Sequence, residues 1–168
     1  IFTLDGAHYH VGDTLTKNSE RSSLRESLWD RSMRSRTLAA WQGVEDNIER
    51  YSSSQKVLTF SKILVSSSSS WLKAEPVAML VINYSTSYLH DHFIKVDLGR
   101  GGYMMVLDDQ HRLIYHPEVG KIGTPVTRDF SNLLVGDSGS FIQRLGTADV
   151  LLTYERIPDK NWFIVSVL

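Results

Sequence analysis

The stretch "GGYMMVLDDQHRLIYHPEVGKIG", residues 101–123, decides how this chain is read. An apolar run ends in Asp108 and Asp109, a polar reversal follows, a second apolar run ends in His116-Pro117, and Gly123 closes the segment. As chemistry, a carboxylate and an imidazole on paired strands suggest a base and its orienting partner. As folding, the aspartates accept backbone N–H bonds at a tight turn and the segment is a hairpin. No nucleophile with a supporting oxyanion site accompanies them. The hairpin is the expectation, and the fragment is not expected to be an enzyme.

On the C-terminal side the pattern continues as strands. "GSFIQRL", "DVLLTYERI" and "NWFIVSVL" are separated by turns at Gly146-Thr147 and Pro158-Asp159. Between the hairpin and these strands lies "VGKIGTPVTRDFSNLLVGD", with a short helical patch near Asp129–Leu134. Two strands, a helical crossover and three strands predict a five-stranded antiparallel sheet.

The N-terminal side repeats this plan without obvious sequence identity. Asp5-Gly6 sits between two short β-type runs in "IFTLDGAHYHV", a strong local hairpin signal. From Asn18 to Arg36, Leu24, Leu28, Trp29 and Met33 recur at helical spacing, Asn18 and Ser19 are candidate caps, and arginines collect near the C-terminal end, where cations suit the helix dipole. "LAAWQGV", "KVLTFSKILV" and "VAMLVINYS" then read as three strands, and "TSYLHDHFIKV" as one more helical segment with Thr86 as its cap. "DLGRGG" reads as a joint, so two α+β modules are expected, residues 1–97 and 98–168.

The 168 residues are 42% hydrophobic, enough for a real core. A net charge of -1 provides no field to concentrate polyanions, which disfavours nucleic acid and suits a small, uncharged or zwitterionic partner. With no cysteine there is neither a disulfide framework nor a thiolate site. No apolar run approaches the roughly 20 residues of a membrane span.

The hairpin at 101–123, followed by "LLTYERIPDKNWFIVSVL", resembles the membrane-proximal module of double Cache domains, the PAS-like extracytoplasmic sensors of bacterial transmembrane receptors. Asp108, Asp109, His116, Pro117, Gly123, Tyr154, Ile157 and Trp162 fall in the family's order and spacing. Over residues 1–97 the likeness rests on "LAAWQGV", "VLTFSKILV" and "AMLVINYS", similar to membrane-distal strands, especially those of sensor histidine kinases. The family begins with a long helix and a first strand. Neither precedes Ile1, which favours excision from a longer protein.

The resemblance implies a small-molecule sensor whose distal module binds the ligand and passes a conformational change through the membrane to an output such as a histidine kinase, a diguanylate cyclase or a chemoreceptor. A ligand-free spacer or dimerisation module, with the parent anchored in the membrane, is the alternative. Amino-acid binders of the family use an Arg and a Trp on the third strand and an Asp ending the last distal strand. Arg36 and Trp41 lie in that region without the tight Arg-x-Trp spacing, and Asn83 stands where the Asp would be. A neutral amide cannot offset a buried ammonium, so a neutral or anionic ligand is expected.

Ser85 and Tyr84 are candidate hydroxyls at the rim, and Trp71, after five consecutive serines, a candidate lid residue. Trp41 reads equally well as a core aromatic. His8 and His10, and likewise His90 and His92, lack a nearby third ligand, so no metal or cofactor is expected. "GRGG" precedes a strand and places no helix N-terminus for phosphate.

Overall fold

The computed structural model describes residues 1–12, 22–49, 51–52, 55–66 and 75–168. The expected caps Asn18 and Ser19 and the lid residue Trp71 lie outside the described residues. The chain divides into two compact units, Ile1–Tyr84 and Ser85–Leu168.

In the first unit, β1 (Phe2–Thr3), helix α1 (Ser22–Arg34), β2 (Ala39–Asp46), β3 (Lys56–Val65) and β4 (Pro76–Ser85) appear in order. The sheet order is β1-β4-β3-β2, with β1 antiparallel to β4 and β2 antiparallel to β3. The hairpin at Asp5-Gly6 does form: Thr3 N–H reaches Ala7 O at 2.9 Å, Tyr9 N–H reaches Ile1 O at 2.8 Å, and Gly6 takes a φ of +89°. Its second arm shrinks to a single bridge between Phe2 and His8, so this sheet has four strands where five were expected. Tyr9 and Val11 are exposed, so burial gives this arm little to hold it as a strand.

One face of this sheet is covered by α1. Leu28 packs with Phe2, Ile48, Ile63 and Met79, and Leu24, Trp29, Leu38 and Val81 close round them. The helix also buries a polar contact. Ser32 and Ser61, both fully buried, share a hydrogen bond at 2.5 Å, and Gln42 Nε2 donates to Ser61 at 2.7 Å. Gln42 reaches that face through an irregularity of register between Trp41 and Gly43, where Gly43 has a φ of +73°. Arg31 on α1 pairs with Glu45 on β2 at 2.8 Å, pinning helix to strand.

The second unit holds α2 (Thr86–Phe93), β5 (Tyr103–Leu107), β6 (Leu113–Tyr115), a single 3-10 turn at Val119–Lys121, α3 (Arg128–Ser131), β7 (Ser138–Leu145), β8 (Ala148–Ile157) and β9 (Trp162–Val167). The sheet order β6-β5-β9-β8-β7 is the five-stranded antiparallel arrangement expected from the opening stretch. The boundary after Tyr84 places α2 with this unit. Its His90 and Phe93 rings lie 5.8 and 5.1 Å from Tyr115 on β6. Ser85, one residue before Thr86, is the cap.

The core of the second unit is aromatic. Phe130 and Leu134 of the crossover lie over Met105, Leu107, Leu113, Leu152, Tyr154, Phe163 and Val165, with Phe141 against them. Phe141 and Phe163 each stand about 6 Å from the Tyr154 ring (6.2 and 6.1 Å), in the tilted and edge-on geometries aromatic pairs prefer.

Candidate functional site

In the opening hairpin, Asp108 is fully buried. Its Oδ1 accepts from the backbone N–H of Gln110 and Arg112 at 2.9 and 2.8 Å, and its Oδ2 accepts from Arg112 Nε at 2.8 Å. These three bonds tie the carboxylate into the reversal. His116 Nδ1 accepts from Glu118 N–H at 2.9 Å. Both side chains make turns, as the turn reading of the sequence requires, and neither is arranged as a base with its orienter.

The polar groups of the first unit collect elsewhere. Ser61 and Ile63 face α1, and alternation along β3 sends Thr59 to the same side. Thr59 Oγ1 donates to Asn83 Oδ1 on β4 at 3.0 Å, and Asn83 Nδ2 donates to Asn47 Oδ1 at 3.3 Å. Asn47 Oδ1 also accepts the Glu49 N–H at 3.1 Å. Thr59, Asn47 and Glu49 are buried while Asn83 stays accessible. The result is a chain of side-chain amides and a hydroxyl, linked from β4 across β3 to the loop after β2, on the sheet face that α1 also covers. Such a set can donate to and accept from a polar solute without a fixed charge.

Of the expected residues, Asn83 stands in this set. Trp41 does not: it pairs with Phe60, its ring 5.3 Å away, and Phe60 points opposite to its neighbours Thr59 and Ser61. The structure therefore puts Trp41 and Asn83 on opposite faces of one sheet. Arg36 is exposed in the turn between α1 and β2. Tyr84 is exposed, and the Ser85 hydroxyl shares a hydrogen bond with Ser87 at 2.6 Å.

Thr59, Asn47 and Gln42 escaped the sequence reading. The available signal was "KVLTFSKILV", where Thr59 and Ser61 put two hydroxyls two residues apart on what becomes the helix-covered face. The histidine pairs show no metal geometry. His8 and His10 stack at 6.1 Å, His90 meets Pro117 O, and among the described residues no group of three or more metal-binding side chains converges.

No family model and no curated protein matches the chain. Solved structures do. The ligand-binding domain of Mlp24 with asparagine superposes with a TM-score of 0.69 at 15% identity, over 93% of this chain and 60% of that one. The ligand-binding domain of the Pseudomonas aeruginosa PAO1 amino acid chemoreceptor PctB, in complex with L-Gln, gives 0.70 at 12% identity, over 99% and 65%. The extracellular domain of mmHK1S-Z3 gives 0.57 at 17% identity, over 77% and 48%. The chain thus spans about three-fifths of the length of the chemoreceptor domains it matches. At these identities the likeness shows the fold alone: α+β, with one antiparallel sheet of four strands and one of five.

Proposed function

We propose that this chain is the ligand-sensing part of a transmembrane signalling receptor, placed outside the cytoplasm, and that its first unit binds a small molecule. One contrast between the units carries the reading. On its crossover-covered face the second unit is filled by Phe130, Leu134, Phe141, Tyr154 and Phe163, whereas on its helix-covered face the first unit has the hydrogen-bonding set Asn47, Thr59 and Asn83. The neighbours named for asparagine and L-Gln support a small polar ligand for the fold. Asn83 has no charge to pair with an ammonium, and a neutral or anionic solute fits the set better.

Signalling through a membrane helix to a histidine kinase or other output is part of the same proposal, and catalysis is assigned to that output and not to this chain. Among the described residues no helix is long and apolar enough to cross a membrane.

Thermal-shift screening against amino acids, carboxylates, sugars and purines tests the reading. A ligand at about 100 times its Kd adds roughly 2.7 kcal/mol. At roughly 2–4 °C per kcal/mol for this chain length, the midpoint rises by about 5–11 °C. A flat profile across all four classes counts against it.

The second reading is a ligand-free spacer or dimerisation module, favoured by one observation. Ile142 of β7, Leu151 of β8 and Leu168, the residue after β9, form a row across the second sheet and are 74%, 41% and 50% exposed. A concentration-dependent homodimer in sedimentation, together with a flat ligand screen, supports that reading instead.

A further inference from the structure

The second unit carries a titratable group at a mechanical joint. His116 follows β6 and is 6% exposed, and its Nδ1 accepts the Glu118 N–H at 2.9 Å. That bond requires an unprotonated Nδ1, so the ring is neutral with its proton on Nε2. Pro117 lies between the two bonded residues, and its carbonyl is held at 3.1 Å by Nε2 of His90 on α2. The same helix lays His90 and Phe93 over Tyr115, the residue before His116. The three-residue segment 116–118 therefore both rests on a neutral imidazole and presents the carbonyl that holds α2.

We infer that His116 and α2 form an acid-sensitive clasp: protonation of His116 breaks the turn at Pro117 and frees α2 from β6. Protonated Nδ1 becomes a donor pointed at the Glu118 N–H, also a donor, and the two must separate. The Pro117 carbonyl then loses its position against His90. Protonation of His90 itself leaves the clasp intact, since Nε2 donates in both states.

The surroundings set the direction. Tyr103 of β5 meets the His116 ring at 5.4 Å, Lys121 of the 3-10 turn and Glu118 just before it flank it, and those two pair at 2.7 Å. From α2, His90 reaches it through Pro117, with Asp91 4.0 Å from His90 Nδ1. Burial, and then the Lys121 charge, hold the His116 pKa below the ordinary histidine value, and Glu118 opposes them. When the clasp opens, His116 regains its ordinary value of roughly 6.5. Opening therefore takes up a proton at any pH between the lowered value and that one. Over that window the opening constant rises by up to about tenfold per pH unit of acidification, and above it the clasp is insensitive to pH.

Amide hydrogen exchange read by NMR on the whole chain between pH 7.5 and 5, converted to protection factors, tests this. The expected result is a loss of protection in Thr86–Phe93 that begins near pH 6.5 and deepens up to about tenfold per unit, while β8 and β9 stay protected. In His116→Asn the side-chain oxygen can accept from the residue two positions on, as Asx turns do, and it does not titrate. The expected profile is then flat, and an unchanged acid-dependent loss in that variant overturns the inference. In the wild-type chain the His116 ring resonance gives an independent check. A ring that titrates while α2 protection holds constant overturns it equally.

Discussion

Thr59 donates its hydroxyl to Asn83 at 3.0 Å on the face of the first sheet that α1 covers, while the next residue, Phe60, carries Trp41 on the other face. The sheet thereby puts on opposite faces two residues that the sequence reading places in one pocket, Asn83 with its hydrogen-bonded partners and Trp41. Asn83→Ala should abolish a ligand-induced thermal shift while leaving the fold, since Asn83 is exposed. Trp41→Ala should keep the shift and lower the stability of the unliganded chain, by about 2 kcal/mol for a half-buried Trp. Loss of binding in Trp41→Ala with retention in Asn83→Ala moves the ligand to the opposite face.

Asp108 should behave as a structural carboxylate. Asp108→Ala removes the side-chain acceptor of two backbone N–H groups and of Arg112 Nε, at a cost of about 3–4 kcal/mol. Asp108→Asn keeps the Oδ1 contacts with the Gln110 and Arg112 N–H groups and should recover about half of that. Urea unfolding measures both. If Asp108→Ala is neutral in stability and changes only ligand response, the turn assignment fails.

The second unit was legible because its polar residues have local jobs. Asp108 bonds residues two and four positions ahead and His116 bonds one two ahead, so spacing alone reveals them. The polar set of the first unit joins residues 24 and 36 positions apart, and no local pattern announces such pairs. The separation of Trp41 from Asn83 was hidden for a related reason. Strand alternation gives the two faces but not which one the helix covers, and the register irregularity beside Gly43 sends Gln42 to the helix side. The single bridge at His8 shows the same limit, since the turn chemistry of Asp5-Gly6 is local but the length of a strand depends on what it can bury.

Val135 and Tyr154 make the last prediction. The Tyr154 hydroxyl donates to Val135 O at 2.6 Å and accepts from Val135 N–H at 3.0 Å, fastening the crossover to β8. Gly139, paired with Tyr154 across β7 and β8, leaves room for that ring, and a Cβ there would stand 2.5 Å from its hydroxyl oxygen and 2.7 Å from Cζ. Gly139→Ala must therefore displace the ring and break both bonds, a loss of about 2–3 kcal/mol. Tyr154→Phe removes the bonds without the clash and should cost about 1–2 kcal/mol. In the double variant the bonds are already gone when the ring moves, so the combined loss should fall short of the sum, and additive losses in urea unfolding would show that Gly139 does not act through Tyr154.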